Sequence, residues 1–174
     1  MSSAMLIPVS EYLETSYDPD CDYVNGEVLE RNVGEWEHSA LQGILAGIFS
    51  NNRKAWGVIT LPEQRVQVSG SNYRVADICV VAATAPRNRI VKQPPLLAIE
   101  ILSRRDTLRE IRKRGNDYLK MGVEHFWIFD PIDRWALDCT RDGLIEPKNG
   151  ELVVAGTPIK LVLADIFAQL AEII

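Results

Sequence analysis

The segment Leu96-Leu97-Ala98-Ile99-Glu100-Ile101-Leu102 constrains this chain more than any other. An apolar run of that length belongs to a strand covered on both faces, and this one carries an acid inside it. An unpartnered buried carboxylate costs several kcal/mol in desolvation, so Glu100 has to be protonated, paired with a base, or bound to a cation. Asp77 poses the same problem inside Tyr73-Arg74-Val75-Ala76-Asp77-Ile78-Cys79-Val80-Val81. Two such acids on neighbouring strands repel unless a cation lies between them, and carboxylate oxygens are what Mg²⁺, or Mn²⁺ in its place, prefers. The plainer alternative is that Arg74 or another base pairs with each acid.

The rest of the chain supplies the layers that such strands need. Ser10 to Thr15 reads as a short opening helix, and Tyr23 to Arg31 as a strand broken by the turn-forming Asn25-Gly26. Leu41, Ile44, Leu45, Ile48 and Phe49 recur at helical spacing, with Asn51-Asn52 expected to end that helix. Strands are expected at Val58 to Leu61, Gln64 to Ser69, Tyr73 to Ala82 and Leu96 to Leu102. Asp106 is expected to cap a second helix that runs to about Met121 and closes at Gly122. A hairpin across Asp130-Pro131-Ile132-Asp133, two short strands near Leu152 to Val154 and Ile159 to Leu163, and a helix from Ala164 to Ile173 complete the order. This pattern predicts an α/β fold, a mixed central sheet flanked by helices. With 174 residues, 47% of them apolar, one domain over 1–174 is expected.

Cys21, Cys79 and Cys139 are odd in number and far apart, so neither a disulfide framework nor a zinc knuckle is expected, and a cytoplasmic setting fits. The first basic residue is Arg31, and Glu100, Lys160 and Asp165 break the most apolar stretches, so neither a secretory leader nor a membrane span is expected. The formal net charge of -5 argues against a protein that coats nucleic acid. Its distribution is uneven, for Arg104 to Lys120 holds seven basic residues against three acids, about +4. A basic ridge on an acidic body steers a polyanion to one face.

Glu37 and His38 open the first long helix beside its apolar face. There they look into a cleft, as a further ligand and a proton route, or serve as a dipole-favoured acid beside a packed histidine. On the second helix Leu108, Ile111, Gly115, Tyr118 and Leu119 define the inward stripe. Arg114 sits on its border beside Tyr118, Arg112 on the opposite border, and Lys113 points away. Arg105, Arg109, Arg112 and Lys113 are candidates to contact nucleic acid, against the alternative of a solvated basic face.

In their order, the Asn25-Gly26-Glu27 turn, Glu37-His38, Arg74-Val75-Ala76-Asp77, Glu100-Ile101-Leu102-Ser103, Tyr118 and Gly122 to Pro131 resemble the PD-(D/E)xK superfamily of restriction-endonuclease-like nucleases. They resemble more closely its Uma-two family. The resemblance implies metal-dependent hydrolysis of phosphodiester bonds, with the aspartate and glutamate as ligands and a lysine near the attacking water. Ala76 stands where the pattern has proline, and Leu102 where it has the strand lysine. Family members typically take that lysine from the following helix, four residues before the tyrosine, and here that position is Arg114. An arginine stays protonated, so it orients phosphate rather than removing a proton from water.

The expectation is therefore a Mg²⁺-dependent DNA endonuclease in which Asp77, Glu100 and the Ile101 carbonyl hold the metal, Glu37 assists, His38 lies close by and Arg114 clamps phosphate. The rival is a non-catalytic nucleic-acid-binding or assembly module that kept the fold, and a third option is hydrolysis of another phosphate ester. Phe126, Trp127, Phe129 and Trp135 crowd one hairpin, and a homodimer burying part of that cluster would present two sites to a duplex.

Overall fold

The computed structural model describes residues 6–32 and 34–174. Helix α1 (Val9–Glu14) leads into the hairpin β1 (Asp22–Val24) and β2 (Glu27–Leu29), followed by α2 (Trp36–Trp56). Strands β3 (Val58–Gln67), β4 (Tyr73–Ala82) and β5 (Leu97–Ile101) precede α3 (Leu108–Met121). Then come β6 (Phe126–Asp130), β7 (Trp135–Thr140), β8 (Gly143–Ile145), a one-turn 3₁₀ segment, β9 (Glu151–Val153), β10 (Lys160–Val162) and α4 (Leu163–Ala171).

Eight strands form one mixed sheet in the order β2-β1-β4-β5-β6-β7-β8, with β3 on β4 as well, and β9 and β10 form a small second sheet. Among the described strands β5 and β6 are the one parallel pair, joined by α3 as crossover. Strand β3 follows β4 from Val58↔Ala82 to Gln67↔Tyr73 and so takes one whole edge of it. The other edge is shared. Strand β1 meets it at Tyr23↔Tyr73, and β5 meets it from Ile78↔Ile99 to Val80↔Leu97. Between those contacts the sheet forks, and Arg74 to Asp77 line the fork.

Each face of the sheet has its own core. On one side α2 lays Leu41, Leu45 and Phe49 onto Ile78, Val80, Leu97, Ile99 and Ile101, and α4, β9 and β10 close over them with Ile166, Leu170, Leu152 and Leu161. On the other, α3 lays Ile111, Tyr118 and Leu119 onto Ala98, Phe126 and Ile128. Gly115 has no room for a side chain, since a Cβ there would stand 2.7 Å from Phe126 Cδ1, so α3 seats unusually close to β6. A third, smaller cluster stacks Tyr12 on Tyr23 and Tyr73.

Turn chemistry follows the sequence. Asn25 and Gly26 take φ of 53° and 92°, the left-handed pair that a tight hairpin requires. Four expectations need correction. Helix α2 does not stop at Asn51-Asn52, because the Asn52 amide bonds the Ile48 carbonyl and the helix runs on to Gly57, left-handed at φ 65°. The cap of α3 is Thr107, in a reciprocal box with Glu110, while Asp106 accepts from the Ser103 amide instead. Leu108 precedes the buried stripe and is exposed. Most of the aromatic cluster is this chain's own core, with Phe126, Trp127 and Phe129 fully buried and Trp135 half-buried. Among the described residues no helix is long and apolar enough to cross a membrane.

Candidate active site

The fork in the sheet leaves backbone donors without strand partners, and side-chain carboxylates take them. Asp22 Oδ1 accepts from the Val75 amide at 2.8 Å. The amides of Ala98 and Leu102 donate to β6, so by alternation that of Ile101 faces β4, where Asp77 Oδ2 accepts it at 2.7 Å. One step beyond the last recorded β4–β5 pair, Ile78↔Ile99, the same register sets Asp77 beside Glu100. Both are buried, at 2% and 1% exposure.

A local fault in the pleat aims Asp77. In β3, Ile59 and Leu61 pack on the α3 side, and so do Val66 and the following Val68; in β4, Cys79 and Val81 do so, and so does Ala76. Odd and even positions therefore exchange faces in both strands. The register is unchanged on either side, at Pro62↔Ile78 and Gln64↔Ala76, so the exchange happens at Glu63 opposite Asp77. Glu63 has φ of 50°, left-handed backbone that a glutamate adopts only under constraint.

Around this pair α2 contributes His38 and Gln42, one helical turn apart. His38 Nε2 lies 3.2 Å from Asp77 Oδ2, and the Gln42 amide donates both to Glu63 Oε1 at 2.8 Å and to the Asp77 carbonyl at 2.9 Å. From α3, Arg114 reaches Glu100 Oε2 at 3.2 Å and Asp22 Oδ2 at 3.5 Å. From the segment between β2 and α2, Arg31 folds inward, binding Asp77 Oδ1 and Glu63 Oε2 and lying 3.9 Å from Glu100 Oε2.

The two acids titrate in opposite directions. Burial works to raise the Asp77 pKa, but the His38 hydrogen bond, the Arg31 charge and the Ile101 amide outweigh it and hold the group below the usual carboxylate range. Burial and the adjacent Asp77 charge push Glu100 up to about 8, against Arg114 and Arg31. The pair thus resists carrying two negative charges, and Glu100 is the member that holds a proton the more readily. Burial lowers the His38 pKa, yet Asp77 more than offsets it and the imidazole is held above its ordinary value. Among the described residues, four buried polar atoms in this cluster find no hydrogen-bond partner: Glu100 Oε1, His38 Nδ1, Arg31 Nε and Tyr118 Oη.

The structure thus brings together Asp77, Glu100, the Ile101 backbone, His38 and Arg114. Glu37 lies apart, 3.4 Å from Arg104 Nη2. Arg105, Arg109, Arg112 and Lys113 are exposed, and among the described residues none of them makes an ion pair. Sequence reasoning missed Arg31, Glu63 and Gln42. The Pro62-Glu63 interruption between two β-rich stretches was the available signal for Glu63, and the four-residue step from His38 was that for Gln42.

As metal ligands, two hard carboxylates suit Mg²⁺, which keeps several waters and takes one or two protein oxygens. The open Oε1 of Glu100 has the chemistry for it. Among the described residues no group of three His, Cys, Asp or Glu forms a ready cage, so a metal here leans on the two acids, backbone and water.

With this geometry in view, the comparisons gain meaning. The pattern of the Uma2 family, described as "Putative restriction endonuclease", matches residues 9–163. This chain belongs to that family. A crystal structure described as that of "a putative nuclease belonging to DUF820", from Anabaena variabilis ATCC 29413, superposes with a TM-score of 0.81 at 22% identity, covering 94% of this chain and 99% of that one. The likeness establishes that the Uma2 chain has the nuclease-like α/β fold with its mixed sheet flanked by helices. No curated protein matches it.

Proposed function

We propose that this Uma2 protein is a metal-dependent endonuclease that hydrolyses phosphodiester bonds of DNA, with Mg²⁺ or Mn²⁺ held by Asp77, Glu100 and the Ile101 carbonyl. One observation carries the reading: two buried acids share the fork of the sheet, and one oxygen of Glu100 has no protein partner. A bound divalent cation supplies charge neutralisation at the phosphate and a lowered pKa for the attacking water.

The chain's own residues supply positioning and charge. Arg31 neutralises the pair in the free protein and, released from Asp77, turns its guanidinium to the phosphate. Arg114 stays protonated beside Glu100 and stabilises negative charge as it develops on the phosphoryl oxygens. His38 holds Asp77 through Nε2 and offers its unpartnered Nδ1 as a proton route. Glu37 assists only after releasing Arg104.

Calorimetric titration of Mg²⁺ and Mn²⁺ into wild type, Asp77→Asn and Glu100→Gln tests this, followed by plasmid nicking. Binding and nicking in wild type alone are expected. Equal metal affinity in all three, or nicking at wild-type rate by either variant with trace nuclease excluded, sinks the assignment.

Arg114 favours a second reading, a nucleic-acid-binding or assembly module without catalysis, because no lysine serves the water. Arg114→Lys separates the two: it raises cleavage in an impaired enzyme and changes nothing in an inert one. The three cysteines are free and buried, which suits the reducing cytoplasm we assign to it. A homodimer remains part of the proposal, and of the aromatic cluster Trp135 is the residue left half-buried to meet a second copy.

A further inference from the structure

At the far end of α2 from the acid pair lies a cleft of about 960 Å³, between the outer edge of β3 and the loop that joins β4 to β5. Arg53, Lys54, Arg87 and Lys92 line it, together with Leu61 and Gln64 of β3. All four cations are exposed, and among the described residues none of them makes an ion pair. No Asp, Glu, Phe, Tyr or Trp belongs to the lining. That is an unusual composition in a chain with 24 acidic and 19 basic residues. Arg53 and Lys54 also suit the C-terminal dipole of α2, but Arg87 and Lys92 sit on the loop and have no such reason to be there.

We infer that this cleft is an anchoring site for the sugar-phosphate backbone of the nucleic-acid substrate, outside the reacting centre; the inference rests on the nuclease reading and extends it. The charge suits a polyanion, and the sugar-phosphate backbone is the one that the nuclease reading supplies. The missing aromatic rings exclude the stacking platforms that hold unpaired bases, which favours contact with backbone alone. Pro62 on β3 lacks a donor and interrupts the open strand edge, which disfavours an added peptide strand. Strand β3 links the cleft to the acid pair, since the lining residues Leu61 and Gln64 share that strand with Glu63. From His38 to Arg53, α2 spans about 22 Å at ~1.5 Å per residue. At ~3.4 Å per base pair that is six or seven base pairs, so the cleft grips the substrate more than half a helical turn from the scissile bond.

The test is fluorescence anisotropy in EDTA, from 50 to 300 mM salt, with a 30-base-pair duplex and its single strand as probes and polyglutamate as competitor. Proteins compared are wild type, Arg53→Gln/Lys54→Gln, Arg87→Gln/Lys92→Gln, and Arg109→Gln/Lys113→Gln on α3. Each cleft pair is expected to weaken duplex binding by roughly tenfold and to reduce the salt slope by about 2, with Mn²⁺ affinity and thermal midpoint unchanged. The loop pair keeps the test decisive should the helix pair disturb folding. Cleft variants that bind like wild type while the α3 variant loses affinity would overturn the anchor and leave the nuclease reading intact. No binding of either probe by wild type would overturn both. Cleft-dependent binding of polyglutamate without cleft-dependent binding of nucleic acid would assign the groove to an acidic peptide and end the inference.

Discussion

Two buried ion clusters sit side by side in the fork of the sheet, and they are finished to different degrees. In the first, Arg74 gives Nη1 to Asp22 at 2.8 Å and both Nε and Nη2 to Asp117 at 2.9 and 2.6 Å, while Asp22 also takes the Val75 amide. In the second, around Asp77 and Glu100, the strand acids are equally buried, yet among the described residues Glu100 Oε1 and Arg31 Nε lack partners, and burial beside Asp77 raises the Glu100 pKa to about 8. A cluster that only holds strands together closes its hydrogen bonds. One that leaves oxygen capacity open and a carboxyl pKa raised stores an opportunity for a ligand.

The sharpest way to break this contrast is Glu100→Gln. Nicking should fall at least a thousandfold, about 4 kcal/mol of barrier, while urea unfolding at neutral pH shows a variant at least as stable as wild type, because folding no longer has to protonate a buried carboxylate. Arg74→Met should do the reverse. It leaves buried Asp22 with only the Val75 amide and Arg114 at 3.5 Å and costs about 3 kcal/mol in the same unfolding experiment, with metal affinity per folded molecule near that of wild type. Equal loss of stability in both variants erases the distinction.

Acidity sharpens the comparison further. A metal must displace the Glu100 proton, so calorimetric affinity should fall up to tenfold for each pH unit below about 8 and level off above it. Stability of the metal-free protein runs the other way. The folded pKa of Glu100 is raised above the unfolded value, so the native state binds the extra proton between 4.5 and about 8, and stability declines as pH rises through that window. Glu100→Gln should remove both slopes.

The smallest effect concerns Arg31. It competes with any cation for Asp77, so Arg31→Gln should tighten Mn²⁺ binding by a few-fold to about tenfold, about 1.4 kcal/mol, and lower nicking because the phosphate loses a guanidinium. Unchanged or weaker Mn²⁺ binding in Arg31→Gln removes the competition from the account.

How far the sequence shows all this depends on whether a feature is local. Strand β4 is predicted residue for residue, and Asp77 and Glu100 stand out, because an acid in a strand buried on both faces is visible without any partner. Arg114 is visible too, since helical phase places it at the border of a stripe. Arg31 is invisible for the opposite reason: it lies in an irregular segment with no periodicity, and only the closing of the fold brings it 46 positions along the chain to Asp77. Glu63 reads as a gap between two strands because the sequence registers an interruption, whereas β3 skips one pair there and resumes the same register with β4 on the other side. Asp106 fits the rule for a cap, but Thr107 with Glu110 offers two bonds where Asp106 offers one, and the reciprocal arrangement prevails.

Gly115 sets the span that ties the two clusters into one. With nothing but hydrogen between α3 and Phe126, the preceding arginine comes near enough to hold Glu100 and Asp22 together. A single methyl group there would act like a shim under a lever: the helix lifts, the guanidinium reaches only one acid, and what a cation does to the open cluster is no longer transmitted to the closed one.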